Sequence, residues 1–213
     1  MVDIKHIVLG PVATNVYIVS NPETGEAVLI DPAERGRLIF DTFNELGLKC
    51  AAVFLTHGHF DHITGLKSFN ENAHAPVYAC EAEREVLADS RLNRSVDGLG
   101  LGGSDIQADV DHFLKDKEEF DVAGLHWKML WTPGHTAGSC CFYLEEEKAL
   151  FSGDTLFAGS IGRTDLPTGS MSELLRSLKE KLMGLPDDTG VFPGHGEFTD
   201  LGTEKKYNPF FSV

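Results

Sequence analysis

The sequence predicts an α/β protein, in which helices cover a β-sheet structure, and three observations lead to this prediction. Short β-branched and apolar runs are bounded by turn-forming residues near the start of the chain. Longer segments carry apolar residues at helical spacing. Four apolar runs end in a glycine-containing turn beside a histidine or aspartate, as expected for a site at strand ends. With 213 residues, 42% of them hydrophobic, we expect one globular domain over residues 1–213.

The chain begins with a predicted β-hairpin. Residues 12–19 are rich in β-branched side chains, residues 21–25 (Asn-Pro-Glu-Thr-Gly) predict a turn, and residues 27–30 form a second apolar run. A helix is predicted over residues 34–48, because its apolar residues recur at helical intervals and Gly47 stands near its end.

Two further helices are predicted in the middle of the chain and towards its end. One covers residues 81–93. The other starts at Ser170, because Ser170 and Glu173 have the spacing of a capping box. Three leucines at four-residue intervals then line one face of this helix: Leu174, Leu178 and Leu182. Residues 104–121 are strongly acidic, so we expect a solvated connector or lid there.

Four predicted strands each lead into a turn that carries candidate ligands. The run over residues 51–55 precedes His57, and three later runs precede His135, Asp154 and His195. Sites in sheet proteins with covering helices collect at the carboxyl ends of strands, so these turns are expected to meet. The glycines in them let the backbone bend sharply and approach an ion closely.

The first of these turns carries four ligand-type side chains within six residues: His57, His59, Asp61 and His62. Imidazole and carboxylate ligands suit Zn²⁺, Fe or Mn, whereas soft copper and iron–sulfur sites need cysteine. Four ligands from one short turn cannot all surround a single ion, so the pattern predicts two adjacent ions. One ion is expected to bind His57, His59 and His135, and the other Asp61, His62 and His195, with Asp154 as a bridge.

Composition excludes several other classes of protein. The formal net charge is −15, which argues against binding to nucleic acid or to an anionic membrane. No apolar run is long enough to span a bilayer, and no signal peptide is recognisable, so we expect a cytoplasmic protein. The four cysteines form no C-x-x-C pair and are expected to be reduced and mostly buried.

Four segments give the chain its resemblance to a known family: T-H-G-H-F-D-H (56–62), T-P-G-H-T-A-G-S (132–139), F-S-G-D-T-L-F (151–157) and F-P-G-H-G (192–196). They resemble the metallo-β-lactamase-fold hydrolase superfamily, and the stretch Gly159–Asp165 favours its glyoxalase II-like branch, the hydroxyacylglutathione hydrolases, in a short single-domain form. The Asp61-His62 pair and the lack of a signal peptide favour this branch over the secreted β-lactamases. The resemblance implies a four-layer αβ/βα sandwich of two mixed β-sheets with helices outside, a metal site at one edge, and the seven ligands named above.

The resemblance also implies an activity. Two divalent ions would provide a metal-bound hydroxide that cleaves an S-acyl thioester such as S-lactoylglutathione. Zinc is the metal expected first, with iron and manganese as alternatives. Asp61 is expected to bind metal and to orient the hydroxide. Asp31 either supports the imidazoles or forms an ordinary turn, and Arg163 either binds a substrate carboxylate or pairs with Asp165.

The C-terminal part of the chain departs from the two-domain members of this family. Two-domain glyoxalase II enzymes carry a helical C-terminal substrate domain, whereas only 18 residues follow His195 here, so no such domain is expected. We therefore expect a small-molecule thioester as partner, with looser recognition of glutathione, and the oligomeric state stays open.

Three alternatives remain at the level of sequence. A mononuclear iron persulfide dioxygenase of the same fold would use His57, His135 and Asp154 as a triad with open positions for O₂ and a sulfur substrate. Another hydrolase of the fold would cleave a lactone or a phosphodiester. A non-catalytic protein would use its metals for stability or for a partner interaction.

Overall fold

The computed structural model describes residues 1–100 and 103–211, in which two six-stranded sheets pack against each other beside a small two-stranded sheet formed by Leu156–Phe157 and Ser160–Ile161. Its strands are β1 (Asp3–Leu9), β2 (Thr14–Asn21), β3 (Glu26–Ile30), β4 (Lys49–Leu55), β5 (Val77–Cys80), β6 (His112–Leu114), β7 (Glu119–Val122), β8 (Leu125–Trp131), β9 (Cys140–Leu144), β10 (Ala149–Gly153), β11 (Leu156–Phe157), β12 (Ser160–Ile161), β13 (Gly190–Pro193) and β14 (Thr199–Asp200). Its α-helices are α1 (Gly36–Glu45), α2 (Phe60–Ile63), α3 (Leu66–Ala73), α4 (Arg84–Ala88), α5 (Met171–Ser177) and α6 (Leu201–Tyr207).

The first sheet has the strand order β1-β2-β3-β4-β5-β6 and is mixed. Strands β1 to β3 pair antiparallel, and β3 to β6 pair parallel. The predicted hairpin is confirmed as β2 and β3. Every residue of β2 is buried, because both faces of the sheet are covered. On one face Ile18 and Leu29 pack against Phe43 of α1 and Phe69 of α3.

The second sheet has the order β14-β13-β10-β9-β8-β7 and is also mixed, since only β10 and β13 pair parallel. Between the sheets, Phe54 of the first stacks on Phe142 of the second at 4.6 Å between ring centroids. On the outer face Leu150 and Val191 pack against the leucines of the last predicted helix. The predicted four-layer αβ/βα sandwich is therefore confirmed.

The helix predicted from Ser170 is present with one half of the expected capping box, because the Ser170 N–H donates to the Gly134 carbonyl instead of to the Glu173 side chain. The Ser170 hydroxyl accepts a hydrogen bond from the backbone N–H of Glu173 at 3.4 Å. After α5 the backbone continues as a π-helical segment over Leu178–Leu182. The three leucines of the predicted apolar face, Leu174, Leu178 and Leu182, are all buried.

Two predicted segments were wrong in extent. The helix expected over residues 81–93 ends at Ala88, because Asp89 is extended and its carboxylate accepts the backbone N–H of Arg91 at 2.8 Å. Residues 104–121 are not only a connector: they include β6 and the first residues of β7, and the acidic side chains of the segment are exposed.

Two further expectations concern cysteines and membranes. All four cysteines are free, and three of them, Cys80, Cys140 and Cys141, are buried. Within the described part of the chain, no helix has the length and apolar character needed to cross a membrane.

Candidate metal centre

The candidate site lies where four strands end at one edge of the sandwich. Strand β4 leads into the loop with His57 and His59. Helix α2 follows directly and carries Asp61 and His62. The remaining candidates follow β8, β10 and β13 of the other sheet. A backbone hydrogen bond from the Cys140 N–H to the Thr56 carbonyl, 2.9 Å long, ties the two sheets together beside the site.

The first cluster contains three buried imidazoles: His57, His59 and His135. One ring nitrogen from each lies within 4.8 Å of the others. Nδ1 of His59 and Nε2 of His135 are 2.9 Å apart. Three imidazole nitrogens converging on one point form a set that suits a first-row divalent ion.

The second cluster contains Asp61, His62 and His195, again with donor atoms within 4.8 Å of one another. Oδ2 of Asp61 lies 3.5 Å from Nε2 of His62 and 3.3 Å from Nε2 of His195. The same oxygen accepts a hydrogen bond from the Thr14 hydroxyl at 3.1 Å, which fixes the orientation of the carboxylate.

Asp154 lies between the two clusters. Its Oδ1 is 3.5 Å from Nε2 of His62, and its Oδ2 is 3.4 Å from Nε2 of His135 and 3.5 Å from Nε2 of His195. The structure thus brings all seven predicted side chains together, with one carboxylate in position to contact both clusters.

Three of the imidazoles are oriented through the ring nitrogen that points away from the clusters. Nδ1 of His62 donates to the Asp31 carboxylate at 2.9 Å, and Nδ1 of His135 donates to the backbone carbonyl of Arg163 at 2.7 Å. Nδ1 of His57 lies 3.1 Å from the Thr56 hydroxyl, which itself donates to Asp31. These contacts direct Nε2 of each ring towards the clusters and favour the tautomer that a metal requires.

The electrostatics of the site favour neutral imidazoles at His57 and His59. Burial lowers the pKa of His57 and of His59 well below its usual value, and neighbouring imidazoles lower it further. In the second cluster, burial acts to lower the pKa of His62. The carboxylates of Asp61, Asp31 and Asp154 outweigh this effect and raise the pKa to about 10.

Unpartnered polar atoms test whether these residues fit a metal ion. Among the described residues, Nε2 of His57 and Oδ1 of Asp154 are buried in the clusters without a hydrogen-bond partner. Buried polar atoms of this kind are costly unless something binds them. Since they belong to converging imidazole and carboxylate groups, the residues fit divalent metal ions.

A cavity of about 430 Å³ opens beside the clusters. Two arginines, Arg94 and Arg163, line it together with clustered side chains. Each guanidinium forms two hydrogen bonds to a nearby carboxylate, Arg94 to Asp97 and Arg163 to Asp165. Both alternatives raised for Arg163 are therefore compatible with its position, since it pairs with Asp165 and also borders the cavity.

Sequence reasoning missed three residues that contact the site or its loops: Thr14, Glu83 and Arg94. Thr14 begins strand β2 and Arg94 follows α4, and neither residue belongs to a ligand motif. Glu83 lies in an acidic run in which Glu81 and Glu85 are exposed, whereas Glu83 itself is buried. No signal in a single sequence separates Glu83 from these neighbours.

A model of the metallo-β-lactamase superfamily matches residues 9–195, a range that includes every clustered side chain. The chain belongs to this superfamily. Two curated relatives extend the match. The probable metallo-hydrolase YqgX of Bacillus subtilis is 39% identical over 209 residues, which cover 98% of this chain and 97% of the YqgX chain. The hydroxyacylglutathione hydrolase GloC of Haemophilus influenzae is 33% identical over 186 residues, 87% of each chain. The latter similarity confirms the resemblance to the glyoxalase II-like branch.

Solved structures of this superfamily confirm the fold. The crystal structure of the BLEG-1 B3 metallo-β-lactamase is 38% identical, with a TM-score of 0.92 over 99% of this chain and 100% of that one. The crystal structure of TTHA1623 in a di-iron-bound form is 36% identical, with a TM-score of 0.85 over 97% of this chain and 99% of that one. The chain is thus a metallo-hydrolase of the superfamily, and membership alone does not assign zinc as its metal.

Proposed function

We propose that the protein hydrolyses an S-acyl thioester, with two divalent metal ions held by the two clusters. The observation that carries the proposal is the position of Asp154, whose two oxygens face donor atoms of both clusters at 3.4–3.5 Å. The similarity to GloC supports a thioester as the substrate. Zinc, iron and manganese all suit the imidazole and carboxylate groups present.

In this proposal the chain's own residues position the reactants. Bound divalent ions supply Lewis-acid polarisation of an acyl oxygen and lower the pKa of a water molecule. Asp61, fixed by Thr14, accepts a hydrogen bond from that water and orients it towards the acyl carbon. A thiolate leaves without prior protonation, so the site needs no general acid for the leaving group.

The cavity walls support an anionic substrate. Arg94 and Arg163 line the cavity beside the clusters, so each guanidinium can exchange its present carboxylate partner for a carboxylate of the substrate. The net charge of −15 does not decide this binding, because the cavity lining combines Arg94 and Arg163 with Asp61 and Asp154, and bound ions would add positive charge beside the two carboxylates.

The protein is purified anaerobically and its metal content is quantified. Thiol release is then compared between S-lactoylglutathione, which is anionic, and an uncharged thioester. We expect about two metal ions per chain and a higher kcat/KM for the anionic thioester. The His62→Ala variant is expected to lose about one ion and most activity, since its Nε2 lies in the second cluster. His126→Ala is the matched control, because His126 is exposed and pairs with Asp121 away from the site.

Two results would contradict the thioester proposal. One iron per chain, together with O₂ consumption when a persulfide is supplied as substrate, would identify the dioxygenase instead. Full metal loading with no thiol release from either thioester would exclude thioester hydrolysis. Parallel assays with a lactone and a phosphodiester then cover the other hydrolases of the fold.

Hydrolysis of a β-lactam ring is the second candidate, favoured by the 38% identity to the BLEG-1 B3 enzyme. A β-lactam also carries a carboxylate and an acyl carbon that water attacks, so the same walls would accept it. The same preparation is assayed for ring opening, and a kcat/KM above that for thioesters would favour this candidate.

A further inference from the structure

We propose that Glu83 is a positioning residue that holds together the two loops of the first metal cluster. Its side chain is fully buried, with 0% exposure. Oε1 accepts the backbone N–H of Gly58 at 2.7 Å, and Oε2 accepts the backbone N–H of Gly138 at 2.7 Å and the Thr136 hydroxyl at 2.9 Å. A single carboxylate therefore joins the two loops.

The positions of these donors connect Glu83 to the clustered imidazoles. Gly58 stands between His57 and His59, and Thr136 directly follows His135. The two oxygens of Glu83 thus fix the backbone on either side of the contact between His59 and His135. A shift of either loop would separate the three ring nitrogens, which need to stay within reach of one ion.

The carboxylate of Glu83 is held by neutral hydrogen-bond donors. No lysine, arginine or histidine of the described chain forms an ion pair with it. A buried carboxylate without a cationic partner is costly, and neutral donors must then satisfy it. A Cβ on Gly138 would lie 2.1 Å from the backbone nitrogen of Glu83, so this contact also requires glycine. The fixed loop geometry offsets the cost of burying a carboxylate without a cationic partner.

Glu204 offers a matched comparison in the same protein. It is also buried, at 2% exposure, and also accepts three neutral donors: the Gly159 N–H at 2.9 Å, the Thr199 hydroxyl at 2.7 Å and the Asn208 side-chain amide at 2.7 Å. None of these donors adjoins a clustered side chain. The two glutamates therefore share burial and hydrogen bonding but differ in their connection to the site.

Glutamine is the informative replacement at both positions. It keeps the size of glutamate but replaces one oxygen by an NH₂ group, which cannot accept a hydrogen bond. In Glu83→Gln this group would face the N–H of Gly58 or of Gly138, so one loop would lose its anchor. Neither glycine N–H can reverse its role, whereas the hydroxyl of Thr136 can.

The experiment measures zinc binding by metal-free protein in competition with a chromogenic chelator, together with the thermal midpoint without metal. The inference rests on the proposed metal centre but does not depend on the substrate. We expect Glu83→Gln to weaken one of two zinc equivalents by about 10–100-fold. Glu204→Gln should keep both affinities, although both variants lower the thermal midpoint of the metal-free protein.

Equal zinc affinities for Glu83→Gln and the wild type would overturn the proposal, as would an equal loss in Glu204→Gln. If Glu83→Gln does not fold, Thr136→Val decides, because it removes one of the three hydrogen bonds. It should weaken one equivalent by a smaller factor, and unchanged binding would count against the proposal. A wild type that binds two zinc ions without hydrolysing thioesters would contradict the proposed function alone.

Discussion

At the scale of single residues, Asp31 shows how one carboxylate serves both the fold and the site. It is 2% exposed, with a left-handed backbone at φ 51°. Its Oδ1 accepts the backbone N–H of Thr56 at 2.8 Å, and its Oδ2 accepts the Thr56 hydroxyl at 2.6 Å and Nδ1 of His62 at 2.9 Å. The side chain thereby connects the end of β4 to the second cluster.

We predict that Asp31→Asn lowers the free energy of unfolding of the metal-free protein by about 2–3 kcal/mol. Asparagine tolerates the left-handed backbone, so the change removes a hydrogen-bond acceptor and the negative charge beside His62 without straining the chain. Its NH₂ group must face either a Thr56 donor or the His62 donor. Urea denaturation measures the effect, and Asp41→Asn is the control, since Asp41 forms an exposed pair with Arg37 worth less than about 1 kcal/mol. Similar losses in both variants would contradict the assignment.

Residues also differ in how far their sequence context reveals them. The seven clustered side chains could be predicted because dense spacing and repeated strand-to-turn context mark them within short segments. Glu83 could not, because its partners lie 25 and 55 positions away in the chain. Local patterns report the chemistry of a segment, whereas such long-range hydrogen bonds exist only once the sheets have packed.

At the scale of elements, α5 braces the turn that carries His135. The Ser177 hydroxyl donates to the Pro133 carbonyl at 2.8 Å, and the Ser170 N–H donates to the Gly134 carbonyl at 2.8 Å. Gly134 has φ 136°, and a Cβ there would lie 2.3 Å from the backbone nitrogen of Leu174. The close approach of helix and turn therefore depends on the absence of a side chain.

We predict that Gly134→Ala displaces α5 from this turn. The variant should lose at least about 3 kcal/mol in its free energy of unfolding and should also bind zinc more weakly. Gly184→Ala is the control, because no atom lies within 4 Å of its added Cβ. The control is expected to be neutral or slightly stabilising. Denaturation midpoints and zinc titration measure both effects, and a Gly134→Ala protein with wild-type values would show that the packing is loose.

Elements were predictable where a periodic pattern or a turn signal marked their ends. The hairpin and the helix after Ser170 gave clear signals, but α2 spans four residues, too few for a helical period to be recognised. Yet α2 places Asp61 and His62 on a helix rather than in the preceding turn. The helix predicted over residues 81–93 was too long because the side chain of Asp89 offers the backbone an alternative hydrogen bond.

At the scale of the whole molecule, the candidate site joins the two sheets at one edge. Four clustered side chains follow β4 of the first sheet, and three follow β8, β10 and β13 of the second. The α/β class could be argued from patterns in the chain, but the division into two sheets came only from the family resemblance. No short-range pattern states which strands share a sheet, because pairing partners are set by the packing of the complete chain.

This arrangement predicts that metal removal destabilises the whole sandwich rather than one loop. Each ion bound between the sheets favours the folded state by about 2.7 kcal/mol when free metal is 100-fold above its dissociation constant. For a chain of this size that corresponds to about 5–10 °C in the unfolding midpoint. Calorimetry with a chelator, and then with one and two equivalents of zinc, measures the shift. Since ligands of each cluster come from both sheets, each equivalent should raise the midpoint of one cooperative transition. A chelator-insensitive midpoint, or a shift confined to a minor separate transition, would mean that the ions do not link the two sheets.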